Sequence, residues 1–125
     1  MNPNNVKKLK KKFPKLLAEI ENIWCGDGWY GVVYGVCNDL QKKFPKIKLA
    51  EIKEKFGRLT VIPKSGTYPD IKKEEVWELI ELHSNLSITV CEETGGMGSL
   101  RANGRDVMKT LCDSSAVLLG FYQKL

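Results

Sequence analysis

The amino-acid sequence predicts an α+β fold in which helices pack on a small antiparallel sheet. Three observations carry this reading. Trp29, Val32, Val33, Val36, Cys37, Leu40 and Phe44 recur at helical spacing, so a helix over this stretch presents one apolar stripe. The stretch 47–62 holds two extended segments parted by Gly57, the second of them rich in β-branched residues. And 125 residues amount to one domain, long enough to bury roughly two-thirds of the surface of the unfolded chain.

The elements follow in chain order. Residues 1–45 form a helical, basic part. Val6, Leu9, Phe13, Leu16, Leu17, Ile20 and Ile23 keep a helical period, with Lys7, Lys8, Lys10, Lys11 and Lys12 on the other face. Pro14 kinks this helix or opens a second one at its first turn. Asp27 is placed to cap the helix of Trp29–Phe44, and Pro45 ends it. Residues 46–66 read as a β-hairpin, Ile47–Lys55 with Arg58–Ile62, in which Phe56 plugs the core and Gly57 makes the turn. Residues 70–85 read as a helix capped by Asp70, with Ile71, Val76, Trp77, Leu79, Ile80 and His83 inward and Glu74, Glu75, Glu78 and Glu81 outward. In 86–125, "SITV" is a short strand, a small hairpin turns through Gly104, and a last helix starts at Asp113.

Composition narrows the function. Hydrophobic content of 42% and charged content of 28% are ordinary for a soluble protein. The longest apolar run, Trp29–Cys37, is far short of the ~18 residues a membrane span needs. Glu19 and Glu21 interrupt any signal-peptide core, so a cytoplasmic location with reduced cysteines is expected. Residues 1–66 carry fourteen Lys/Arg against six Asp/Glu, a net +8, while 67–125 carry a net −3. Such a basic half favours phosphate-rich partners, although a lysine run is more often a solvated face. "GGMGSLRANGR" is not a phosphate-cradling loop, and His83, the only histidine, lies on an apolar stripe where packing is its usual role. A Cys/His enzyme is therefore the least favoured class, and no cofactor is expected.

Near the C-terminus, Cys91 is followed three residues on by Thr94, and Cys112 by Ser115. That is the spacing of a zinc site with two ligands replaced: a metal site completed by Cys25 or His83, the remains of one, or chance. Gly28-Trp29 opens the second helix; "KEKFGRL" spans 53–59; Ser84 stands in the next helix. Cys91-Glu92 leads to Gly95, Gly98, Leu100 and Arg101, and Thr110-Leu111-Cys112 closes the series. Over nearly the whole chain these motifs resemble a family of small bacteriophage and prophage proteins of uncharacterised biochemistry. Its members carry C-E-x-C-G-x-x-G-x-L-R and T-L-C-x-x-H, so the resemblance implies a C-terminal zinc knuckle that is degenerate and metal-free here. Thr94 and Ser115 replace a Cys and a His, and Arg105 stands where an aromatic residue is usual. The apolar core would then offset the ~10–16 kcal/mol that zinc binding supplies to such units.

The expected function is a small non-enzymatic binding protein, by the resemblance a phage-encoded accessory or counter-defence protein acting in the cytoplasm of a bacterial host. Its partner would be a host macromolecule or a phosphate-bearing ligand, with a nucleic-acid-binding module as the main alternative. The expected ligand-binding residues are Lys53, Lys55 and Arg58 beside the hairpin turn, Arg101 and Arg105 closing the site from the C-terminal hairpin, and Tyr30 as a stacking aromatic.

Overall fold

The computed structural model describes residues 1–125. It is α+β, with four α-helices and two small antiparallel sheets. Helix α1 spans Pro3–Lys12, opened by Pro3 at the first turn and by the Asn2 side chain, which accepts the Asn5 N–H at 2.8 Å. It stops at Phe13, and residues 14–19 form turns, so Pro14 neither kinks α1 nor opens a second helix. The apolar residues of this stretch are buried all the same: Phe13, Leu16, Leu17, Ile20 and Ile23 sit in the main core.

Helix α2, Tyr30–Lys43, follows a single 3-10 turn at Asp27–Trp29. Its stripe is as expected, with Trp29, Val33, Val36, Cys37 and Leu40 fully buried. Asp27 does not cap it. The Asp27 carboxylate accepts the Asn2 N–H at 2.8 Å and the Asn5 side-chain amide at 3.0 Å, tying this loop to the start of α1. Those bonds, the Asn2 N–H first, hold its pKa below the ordinary value.

Strands β1 (Leu49–Lys55) and β2 (Arg58–Pro63) pair antiparallel, with Lys55 opposite Arg58 and an irregularity between Leu49 and Glu51. The two-residue connection is Phe56-Gly57, with φ of 54° and 78°. Positive φ at both positions is the type I′ hairpin turn. This corrects the expectation for Phe56. The ring is 61% exposed and does not plug the core, because the central residues of such a turn face outward. The core side of the hairpin is formed instead by Leu49, Ile52, Leu59 and Val61.

Helix α3, Lys73–Ser87, begins after a 3-10 turn at Asp70–Lys72, and no side chain caps it, Asp70 included. Its buried stripe is Val76, Ile80, His83, Ser84 and Ser87. Ile71 (89% exposed) and Trp77 (40%) lie outside the stripe, contrary to expectation. Ser84 and Ser87 turn inward because β2 needs them: the Ser87 hydroxyl accepts the Leu59 N–H at 2.9 Å, and the Ser84 hydroxyl donates to the Leu59 carbonyl at 2.7 Å. "SITV" is not a strand. Ser87 ends α3, and Val90 makes only an isolated bridge with Met97.

The C-terminal unit has a second, small core of Cys91, Leu111, Ala116 and Phe121. Strands β3 (Ser99–Ala102) and β4 (Met108–Leu111) form the expected hairpin, β5 (Gln123–Lys124) adds to β3, and α4 spans Asp113–Leu119. The loop before α2 docks on this unit. Gly28 N donates to Glu92 O at 2.7 Å, and the Trp29 indole N–H donates to Val90 O at 2.8 Å. No helix is long and apolar enough to cross a membrane.

Three outcomes test this packing in denaturant melts. Trp29→Ala is expected to cost about 3–5 kcal/mol. Ser87→Ala leaves the Leu59 N–H buried and unpaired and should cost about 1–3 kcal/mol. Phe56→Asn should be neutral or stabilising by up to about 1 kcal/mol, since asparagine tolerates the left-handed region and little buried area is lost.

Candidate functional site

The strongest candidate surface is the outer face of the β1–β2 hairpin. Residues opposite one another in a ladder share a face, so Lys55 and Arg58 form one row and Lys53 and Thr60 the next. Trp24 extends the second row: it forms a parallel bridge with Lys53, its N–H donating to Ile52 O at 3.0 Å and its carbonyl accepting the Glu54 N–H at 2.7 Å. The Trp24 side chain is 64% exposed. At the tip, the Lys55 ammonium lies 5.8 Å from the centroid of the Phe56 ring. Trp24 thus stands beside Lys53 on this face, and Phe56 stands at the tip next to Lys55, where it also lines a groove with Ala102, Met108 and Leu125 of the C-terminal unit.

The other face of β1 carries Glu54, as strand alternation requires. Its carboxylate accepts the Gly57 N–H at 2.7 Å and faces Lys109 at 3.9 Å. Lys109 also reaches Glu92 at 3.6 Å. Glu92 is buried and its Oε2 accepts the Gly26 N–H at 3.0 Å, while Oε1, the oxygen facing Lys109, has no hydrogen-bond partner. Burial pushes its pKa up, against the opposing pull of Lys109 and the Gly26 N–H. Thr110 secures the tip by donating its hydroxyl to Gly57 O at 2.7 Å.

The expected site residues divide. Lys53, Lys55 and Arg58 do share one face. Arg58 is held by Glu81 and Asn85 of α3, each at 2.6 Å, and Lys53 pairs with Glu51 at 3.1 Å. Arg101 does not close the site. It is buried, donates to Leu111 O at 3.0 Å and pairs with Asp113 at 2.6 Å, so it fastens β3 to the start of α4. Arg105 is exposed in the β3–β4 turn, whose Gly104 and Asp106 line a groove together with Phe56. Tyr30 leans on Tyr34 and the main core, with ring centroids 6.5 Å apart, and stands apart from the hairpin face. Trp24 and the exposure of Phe56 were missed. For Phe56 a signal existed, since two residues between paired strands, the second a glycine, mark a turn whose side chains face outward.

The four positions of the knuckle-like spacing converge. Ser115 Oγ lies 3.8 Å from Cys91 Sγ and 3.3 Å from Cys112 Sγ, and Thr94 Oγ1 lies 3.8 Å from Cys112 Sγ. All four cysteines are free thiols, and no three His, Cys, Asp or Glu side chains are grouped as a metal would need. Cys25 belongs to the main core, and His83 Nε2 bonds Asp39 at 2.7 Å, so neither joins this cluster. The hydroxyls of Ser114 and Ser115, the Ser115 N–H and the Thr94 hydroxyl favour the Cys112 thiolate and hold its pKa at about 6. Burial pushes Cys25 and Cys37 up to about 12.

Compared with protein-family models, curated proteins and solved structures, the chain matches none.

Two measurements check this geometry. Purified protein should carry no stoichiometric zinc, whereas Thr94→Cys with Ser115→His should bind one zinc per chain by elemental analysis; a double variant that stays empty contradicts the converged geometry. Alkylation of Cys112 should rise as pH passes about 6, because the thiolate forms there, while Cys25 and Cys37 stay unlabelled in the folded state.

Proposed function

We propose that this is a small non-enzymatic binding protein that holds an anionic, phosphate-bearing ligand against the outer face of the β1–β2 hairpin. The observation that carries this is the shared face of Lys53, Lys55 and Arg58, set in the half of the chain whose net charge is +8. Arg58, already fixed by Glu81, serves as a rigid flank, Lys55 supplies a point charge, and Lys53 supplies another by exchanging Glu51 for the ligand. Arg105 can approach from the neighbouring turn across the groove beside Phe56. Charge complementarity of this kind steers and retains an anion, and on this reading the ligand is held and not transformed. The resemblance to bacteriophage proteins favours an accessory or counter-defence role in the cytoplasm of a bacterial host.

A second reading has its own observation. The outer side of α3 exposes Trp77, Leu82 and Leu86 among Glu74, Glu78 and Glu81. An apolar strip rimmed by acidic groups suits a basic segment of a host protein.

The test is equilibrium binding of nucleotides, inorganic polyphosphate and oligonucleotides to the protein and to Lys53→Gln/Lys55→Gln. The double variant is expected to bind more weakly and with a shallower salt dependence. Unchanged binding by the variant removes the hairpin face from the reading, and a ligand recovered chemically altered removes its non-enzymatic part.

A further inference from the structure

We infer that the hairpin face binds single-stranded nucleic acid, with Trp24 and Phe56 as stacking platforms for bases and Lys53 and Lys55 on the intervening phosphates. This rests on the proposed function and names its ligand class. Lysines alone would take any polyanion; the aromatic pair is what selects.

Phe56 is the first argument. It adopts φ of 54°, a region that a bulky side chain enters only under strain. Its ring is nonetheless 61% exposed, so burial does not compensate for that strain. Asparagine or glycine would serve the turn better. The position holds a flat apolar surface outward, beside a cation 5.8 Å from its centroid.

Trp24 is the second. Its bridge to Lys53 places it on the same face, and it is 64% exposed although it lies between two buried residues, Ile23 and Cys25. Lys53 and Phe56 are three residues apart in sequence, about 10 Å along the strand. The two rings therefore flank a basic strip about as long as that, in which Lys53 and Lys55 alternate with the inward Ile52 and Glu54. Thr60, a small residue, stands opposite Lys53, and Glu51, one step along the same face, pairs with Lys53 at 3.1 Å, a contact that a phosphate must displace. Aromatics interleaved with cations on a short sheet are how proteins hold unpaired strands, because every base offers a π-face and every linkage a charge. A duplex keeps its base faces stacked on one another and offers none to these rings.

Fluorescence anisotropy separates the alternatives, using a short oligothymidylate, an abasic deoxyribose-phosphate strand of equal length, and a duplex of the same length. The oligothymidylate should bind more tightly than either. Trp24→Ala and Phe56→Asn should each weaken it about 5- to 150-fold while leaving the abasic strand unchanged. Lys55→Gln should lower the salt slope for both single strands by about 0.7. Phe56→Asn relieves the turn, so its loss of binding cannot be charged to unfolding, and denaturant melts check Trp24→Ala. If oligothymidylate and abasic strand bind alike and both depend on the lysines, the stacking inference is overturned and the proposed function stands. Duplex bound as tightly as single strand overturns the inference too. If neither strand nor polyphosphate binds, both readings fail.

Discussion

The structure depends on a close backbone approach between two loops far apart in sequence. The loop 25–29 lies against the turn that starts at Cys91, and the fit requires glycine: a Cβ on Gly28 would stand 2.2 Å from Cys91 O and 2.6 Å from Glu92 O. A Cβ on Gly26 would meet Glu92 O at 2.3 Å. These are backbone atoms, so no rotamer change could make room. The contact satisfies groups that would otherwise be buried and unpaired, through Gly28 N to Glu92 O and the Trp29 indole to Val90 O. It also joins the two hydrophobic cores, since Trp29 sits at the centre of the large one and Cys91 begins the small one.

The candidate surface follows from that union. With the C-terminal unit docked, β4 lies under the β1–β2 turn, where Thr110 bonds Gly57 O and Leu100 packs so close that a Cβ on Gly57 would come within 2.4 Å of it. Lys109 then stands between Glu54 and Glu92 on the inner side of the hairpin. α3 completes the frame by clamping Arg58 and covering the Leu59 peptide group.

Much of this was legible in the residues, for identifiable reasons. The stripe from Trp29 to Phe44 is periodic over four turns, so only a helix can bury it. The hairpin was readable from β-branched residues on one side of Gly57. The convergence of Cys91, Thr94, Cys112 and Ser115 followed from paired spacings that a tight turn and a helix start impose. Other features turned on contacts between distant segments. Ser84 and Ser87 look like surface residues until β2 supplies the Leu59 peptide they satisfy. Arg101 looks like a ligand residue until Leu111 and Asp113 are folded against it. Ile71 and Trp77 extend the apolar pattern of α3, but Ile71 lies in the 3-10 turn before the helix and Trp77 lies off the face that Ser84 and Ser87 turn toward β2. Trp24 gave no local sign of exposure among buried neighbours.

The covering of β2 by α3 has a consequence for assembly. A two-stranded hairpin ordinarily offers free peptide groups along its outer strands, which invite pairing with another chain. Here Trp24 occupies the outer side of β1 at Lys53, and the two serine hydroxyls occupy the outer side of β2 at Leu59. Strand addition is blocked partway along β1 and at the turn end of β2. Runaway self-association through this sheet is thereby suppressed, and a partner must read side chains instead of extending the ladder.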